Sequence, residues 1–130
     1  WVSMSGNGAE LAISKYANSD FCLQPPGDTL PRPGIVDALS VGCVPVLFHP
    51  LQAKLWTNHW NASSAALVVD WTGGAPRPRG RDPAAYADAA TRLIQRLVQF
   101  PEADLRQLQR GAAAAVPSMI YALSANRPNV

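Results

Sequence analysis

The chain has 130 residues, enough for one ordinary domain or part of one, and 48% of them are hydrophobic, so a packed core can form. Only 15% are charged and the net charge is +2, too small to point to nucleic acid or an anionic membrane as a partner. No apolar run is long enough to span a bilayer, and no signal peptide is visible.

The sequence opens at Trp1 rather than at a methionine, and reads as a fragment or processed piece of a longer protein. Residues 1–8 are small and polar without a period. Glu10 to Asn18 fits a short helix with Leu11, Ile13, Tyr16 and Ala17 as apolar contacts. Asn18-Ser19-Asp20 then turns the chain into Phe21-Cys22-Leu23, a short apolar strand. Gln24 to Pro33 holds four prolines and a Gly-Asp pair, so it is expected to be an irregular loop. Gly34 to Val41 reads as a helix with Ile35, Ala38, Leu39 and Val41 on its apolar side, and Gly42 is a natural stop. Cys43 to Phe48 follows as an apolar run without alternation, the pattern of a strand buried on both faces.

Further along, His49 to Ser64 is irregular, and Ala65 to Val69 is a third short strand. Asp70 to Arg81 is a loop rich in Gly, Pro and Arg. Asp82-Pro83 opens a helix, with an acceptor at the N-cap and proline in the first turn. Its apolar stripe is Tyr86, Ala90, Leu93, Ile94, Leu97 and Val98. Phe100-Pro101 ends it, and Glu102 starts another helix, with Leu105, Leu108, Ala112, Val116, Met119, Ile120 and Leu123 as its buried side. Pro117 should kink or split that helix. The order predicts an α/β chain with a small parallel sheet flanked by helices. Three strands are few for a complete doubly wound domain, so further strands are expected upstream.

The chemistry concentrates between Asp20 and Phe48. Strand, loop, helix and strand make one βαβ unit, and in open parallel sheets ligands bind at the carboxyl ends of the strands. A diphosphate needs close backbone approach, free N–H groups and positive potential. Gly27, Asp28 and Thr29 follow the strand, Gly34 opens the helix, and Arg32 supplies the charge. Asp37, placed in the first turn, can accept from both hydroxyls of a ribose. The other reading is a proline-stiffened loop with an aspartate favoured by the helix dipole. Neither the P-loop pattern nor the three-glycine dinucleotide fingerprint occurs.

Other residues carry less. Cys22 and Cys43 lie in or beside buried strands, where cysteine ordinarily packs as a small hydrophobe; a bridge between them is the other option. Trp56, Trp60 and Trp71 can stack on sugar rings, though core or interface packing is the commoner use. His49 stands at the carboxyl end of the second strand, facing the presumed cleft, and His59 has less to recommend it. Arg77, Arg79 and Arg81 read as a solvated loop, and Glu102 and Asp104 as residues suited to a helix start. Asn61-Ala62-Ser63 is a glycosylation sequon.

The run from Ser19 to Phe48 resembles the signature of the exostosin-like glycosyltransferases. Ser19, Phe21, Cys22, Leu23, Pro25, Gly27, Asp28, Asp37, Ala38, Gly42, Cys43, Pro45 and Val46 match it in order and spacing, and Trp60 ahead of the third strand fits as well. The resemblance covers most of Tyr16 to Leu123. It implies a fold of the GT-B kind, two Rossmann-like domains across a cleft. Residues 1–15 would be a lead-in, residues 16–125 an incomplete carboxyl-terminal, donor-binding domain, and residues 126–130 a frayed tail. The implied reaction transfers a sugar from a nucleoside diphosphate donor to a glycan or glycoprotein acceptor, usually with inversion, with no obligatory metal and no cofactor. The resemblance also implies a single-pass membrane protein of the Golgi, acting on the lumenal side. The catalytic base would face the donor from the missing amino-terminal domain, and no residue here qualifies for that role.

One departure stands out. Many family members with Gly-Asp in this loop carry two adjacent arginines before the helix. Arg32 matches the first, Pro33 replaces the second, and Gly34 stands where others carry a single arginine. That departure favours a second reading, a non-catalytic glycosyltransferase-like partner with weakened donor binding. A third reading, a different nucleotide-binding α/β protein, is disfavoured by the paired Phe-Cys-Leu and Gly-Cys-Val-Pro-Val segments.

Overall fold

A computed structural model describes residues 6–25, 28–70, 80 and 82–119. Helix α1 (Gly6–Ala17) leads into strand β1 (Phe21–Gln24), helix α2 (Pro33–Ser40) and strand β2 (Val44–Leu47). A 3₁₀ turn (Pro50–Lys54) and a four-residue helix α3 (Ala62–Ala65) precede the two-residue strand β3 (Leu67–Val68). Helices α4 (Pro83–Val98) and α5 (Glu102–Met119) complete the described part. The strands form one parallel sheet in the order β1-β2-β3. The α/β class with a small parallel sheet flanked by helices is therefore as read from the sequence, a partial Rossmann-like arrangement.

Central strand β2 is buried along its whole length, as its unbroken apolar run requires. Its side chains divide between two layers. Leu47 joins Ile35 and Leu39 of α2, Trp60, and Ala112 and Ala115 of α5 in one core. Val46 joins Val69 and Leu93 of α4 in the other. A proline inside a central strand ordinarily removes a ladder hydrogen bond. At Pro45 it removes none: the Val44 N–H bonds the Asp20 carbonyl on the β1 side at 2.9 Å, so position 45 faces the β3 side. Strand β3 begins pairing only one residue later, with Leu67 opposite Val46.

Helix α2 ends as Gly42 predicts. The Gly42 N–H reaches the Leu39 carbonyl at 3.2 Å and the Cys43 N–H reaches the Ala38 carbonyl at 3.0 Å, with Gly42 at φ +77°. This double bond pattern satisfies carbonyls that the helix end would otherwise leave open. Chain direction then reverses into β2 at once.

Several expectations change. Cys22 and Cys43 do not pack as separate thiols; they form a disulfide with Cα atoms 5.9 Å apart. Parallel pairing of β1 with β2 puts Cys22 opposite Pro45, two residues from Cys43, which is within reach of a bridge. Helix α3 interrupts what reads as the start of the third strand, because Asn61 caps the Ala62–Ala65 turn. Helix α4 begins where Asp82 predicts, its carboxylate accepting the Ala84 and Ala85 N–H groups. Its stripe is only partly covered, however: Ala89 and Leu93 are buried, while Ile94 and Val98 are 49% and 79% exposed. Helix α5 runs through Pro117 without splitting, since the proline falls in its last turn. Ala112 and Ala115, not its larger residues, are its buried members, and a Cβ added at Gly111 would stand 1.7 Å from the Ser64 carbonyl oxygen. Small residues thus let the backbone of α5 lie directly on α3. Ile120 and Leu123 lie outside the described residues. No described helix is long and apolar enough to cross a membrane.

Candidate functional site

The βαβ unit places a loop and the start of α2 at the carboxyl edge of β1. Gly27, with its neighbour Pro26, lies outside the described residues. Asp28 and Thr29 are exposed in bends of the loop, and Arg32 occupies the N-cap of α2 in an extended conformation. No side chain caps this helix. Pro33 takes the first helical position and brings no N–H, and the Ile35 N–H bonds back to the Arg32 carbonyl at 3.0 Å. Gly34 therefore carries the first N–H of the helix, and the cradle of amides is smaller than a helix start ordinarily offers.

Arg32 turns back along the loop, its Nε donating to the Pro25 carbonyl at 3.0 Å. Among the described residues its two terminal nitrogens have no partner. Gly34 is closely packed, and its neighbours are side chains: a Cβ there would meet Gln24 Oε1 at 2.6 Å and Tyr16 Oη at 3.2 Å. Gln24 is 4% exposed and donates through Nε2 to Tyr16 Oη at 3.3 Å. The space that an arginine at position 34 would enter is thus filled by the end of β1 and by α1.

Asp37 is not in the first turn. The helix starts at Pro33, one residue earlier than its sequence suggests, which moves Asp37 into the second turn and away from most of the dipole's influence. It remains half-buried, three positions after Gly34 and so its neighbour on the helix surface. Asp28, Thr29, Arg32, Gly34 and Asp37 are thus gathered on the loop and α2.

One residue of this region is invisible in the motif. Gln52, in the 3₁₀ turn after β2, is wholly buried. Its Oε1 accepts the N–H groups of Phe48 at 2.9 Å and His49 at 3.2 Å. Its Nε2 donates to the carbonyls of Gln24 at 3.0 Å and Leu30 at 3.4 Å. A single amide thus ties together the ends of β1 and β2 and the loop. A glutamine two residues past Pro50, in the turn after a buried strand, carries no distinctive spacing, so sequence offers little to find it by.

The remaining candidates have structural employment. His49 Nδ1 accepts the Leu51 N–H at 3.0 Å and caps the 3₁₀ turn, which places its proton on Nε2. Trp60 is buried and donates from Nε1 to the Leu55 carbonyl, and Trp56 packs against the same core at φ +54°. Glu102 pairs with Arg106 one turn on, both exposed. Asn61 is exposed and uses Oδ1 to accept from Ser63, at N and Oγ. Trp71, Arg77, Arg79 and Arg81 lie outside the described residues. Among the described residues no cluster of three or more His, Cys, Asp or Glu side chains could hold a metal ion.

An open groove of about 690 Å³ lies elsewhere. It runs between β1 and helices α4 and α5, with Phe21, Leu23, Ile94, Leu97, Phe100 and Leu105 among its walls, and no residue of the loop or of α2 lines it. Its polar walls are Asp20, Glu102, Arg106 and Gln109, with Arg106 already paired to Glu102, so chemistry rather than size favours the loop.

Comparison with known proteins bears on this arrangement. Xyloglucan galactosyltransferase XLT2 of Arabidopsis thaliana is 25% identical over 128 residues, covering 96% of this chain and 22% of that protein. Xyloglucan galactosyltransferase MUR3 of the same plant is 29% identical over 111 residues, covering 85% of this chain and 16% of that protein. Xyloglucan-specific galacturonosyltransferase 1, also from Arabidopsis thaliana, is 49% identical over a 45-residue stretch, 35% of this chain and 7% of that protein. The chain spans under a quarter of the length of each. No solved structure matches it. The Exostosin GT47 domain matches residues 4–73, more than half of the chain and the whole of the βαβ unit. The chain belongs to the exostosin GT47 family.

Proposed function

We propose that this chain is part of the donor-binding half of a glycosyltransferase, which moves a sugar from a nucleoside diphosphate to a glycan acceptor. The observation that carries the reading is the uncapped start of α2 beside Arg32, at the carboxyl edge of a parallel sheet in a GT47 chain. As the glycosidic bond to the donor breaks, negative charge grows on the leaving diphosphate. The Gly34 N–H and the Arg32 guanidinium are set to stabilise that charge, with Gly27, Asp28 and Thr29 shaping the loop around it. Asp37 accepts from the ribose hydroxyls. An acceptor hydroxyl attacks the anomeric carbon from the opposite side, and the base that takes its proton comes from outside this chain.

The relatives are named for transfer of galactose or galacturonic acid to xyloglucan, so a polysaccharide acceptor of that class is the first to test. The Cys22–Cys43 disulfide supports an oxidising compartment, consistent with action on the lumenal side of the Golgi membrane. Isothermal titration of the full-length protein against a panel of nucleotide-sugars, galactose and galacturonate donors included, tests the proposal; no binding to any would refute it. Arg32→Ala should weaken donor binding by on the order of 1.5–3 kcal/mol, roughly one to two decades. Unaltered affinity would remove Arg32 from the site.

A second reading, a non-catalytic partner, has its own support in Pro33 and Gly34 at the arginine positions and in the Arg32 Nε engaged by Pro25. Transfer activity of the purified full-length protein alone would dispose of it.

A further inference from the structure

We infer that Gln52 is a positioning residue for the donor loop: its buried amide holds the described part of that loop, Pro25 and residues 28–32, in the arrangement that presents Arg32 and the start of α2 to a diphosphate. The inference deepens the donor-binding reading above and rests on it.

The loop's composition creates the need. Pro25, Pro26, Pro31 and Pro33 have no N–H, so this segment has fewer donors than an ordinary loop with which to secure itself. It offers mainly carbonyl oxygens and must be held by donors brought to it. Among the described residues two such donors are seen. Arg32 Nε reaches the Pro25 carbonyl from within the loop. Gln52 Nε2 reaches the carbonyls of Gln24, where the loop departs from β1, and Leu30, just before it enters α2. Gln52 thus pins the loop near both of its ends.

The anchor is itself fixed. Gln52 Oε1 takes both N–H groups at the end of β2, from Phe48 and His49, and His49 in turn caps the turn that carries Gln52. Both donor and acceptor sides of the amide are used, and the side chain is fully buried, so neither rotation nor water offers a cheap alternative. Only an uncharged side chain with a donor at one end and an acceptor at the other fits. Glutamate can keep the contacts to Phe48 and His49 but puts a second oxygen against two carbonyls. Burial and those carbonyls raise its pKa, and protonation returns one donor. Leucine fills the space and restores nothing at any pH.

The test uses the full-length protein with Gln52→Glu and Gln52→Leu, each against wild type at pH 7.5 and pH 5.5, so that any pH dependence common to all three proteins cancels. Hydrogen exchange is read at the N–H groups of Asp28, Thr29, Leu30 and Arg32, and affinity is read with UDP-galactose as probe. At pH 7.5 both variants should exchange faster in the loop and bind about tenfold more weakly, with core amides of β2 unchanged. At pH 5.5 Gln52→Glu should recover most of both losses and Gln52→Leu neither. Loop protection that stays at the wild-type level in Gln52→Glu at pH 7.5 overturns the proposal, whether or not the probe binds. A loosened loop with unchanged affinity overturns its functional half. A wild-type protein that binds no UDP-galactose, or any other donor of the panel, refutes the donor reading itself, and the exchange data then stand apart from it. Should Gln52→Leu fail to fold, the pH-dependent recovery of Gln52→Glu still decides.

Discussion

Replacing Gly34 by alanine should destabilise the protein, although alanine is the better helix former. An added Cβ would stand 2.6 Å from Gln24 Oε1 and 3.1 Å from its Nε2, where ordinary contact begins near 3.4 Å. The amide must therefore retreat by about 0.8 Å, the difference between 3.4 and 2.6 Å. It is a flexible group in a tight place: Gln24 is 4% exposed, and its Nε2 is bonded to Tyr16 Oη. Losing that bond costs about 1 kcal/mol, and crowding adds about 1 kcal/mol or more. Helix propensity returns at most about 1 kcal/mol, and less in the first turn, where the backbone is only partly committed to helical bonds. The expected net cost is about 1–2 kcal/mol, read as a shift in the midpoint of urea denaturation. Gln24→Ala removes the obstacle, so the double variant should be more stable than the sum of the single costs by about 1 kcal/mol. A neutral or stabilising Gly34→Ala, or costs that add to within about 0.5 kcal/mol, would refute this account. The same geometry bears on the family's missing arginine: Gly34→Arg should leave donor affinity unimproved unless Gln24 is shortened with it.

The disulfide joins residues 21 apart and encloses both the loop and α2, so Cys22→Ala/Cys43→Ala should cost about 3 kcal/mol in the chain-entropy treatment, and a loss under about 1 kcal/mol would argue against it. Gly111→Ala should cost at least about 2 kcal/mol, seen as a lowered Tm, because its Cβ would sit 1.7 Å from a backbone carbonyl that cannot swing aside; a higher Tm would show that α5 and α3 do not touch there. Asp37→Asn should leave stability within about 0.5 kcal/mol while weakening donor binding roughly tenfold, the loss of one charge-assisted contact; equal affinity would clear Asp37 of any role in the site.

Much of the fold was legible because its governing forces are local or periodic. Six consecutive apolar or proline residues from Cys43 to Phe48 announced a doubly buried strand, Gly42 announced the helix stop, and Asp82-Pro83 announced the start of α4. Misreadings arise where a distant partner decides. Ile94 and Val98 sit on the predicted apolar stripe of α4, yet the described residues leave them exposed at the groove beside β1. The bridge between Cys22 and Cys43 depends on β1 and β2 being parallel neighbours in one particular register, which spacing alone does not specify. Pro33 extended α2 backward by one residue and so took Asp37 out of the first turn. Gln52 could not be read at all, because its importance lies in three segments that meet only in the folded chain.

The family signature itself separates into two kinds of residue once the fold is known. Cys22 and Cys43 make the bridge, Ala38 and Val46 are fully buried, Gly42 turns the chain out of α2, and Pro45 fits a strand position where no N–H is wanted. Each of these has a structural task sufficient to explain it. Asp28 and Asp37 do not: among the described residues neither carboxylate makes a hydrogen bond or an ion pair, and Asp37 lies too far into α2 for the dipole to account for it. The matches that explain the architecture therefore say little about the donor, and the two aspartates that the architecture leaves unexplained are where a bound ribose or sugar has the most to supply.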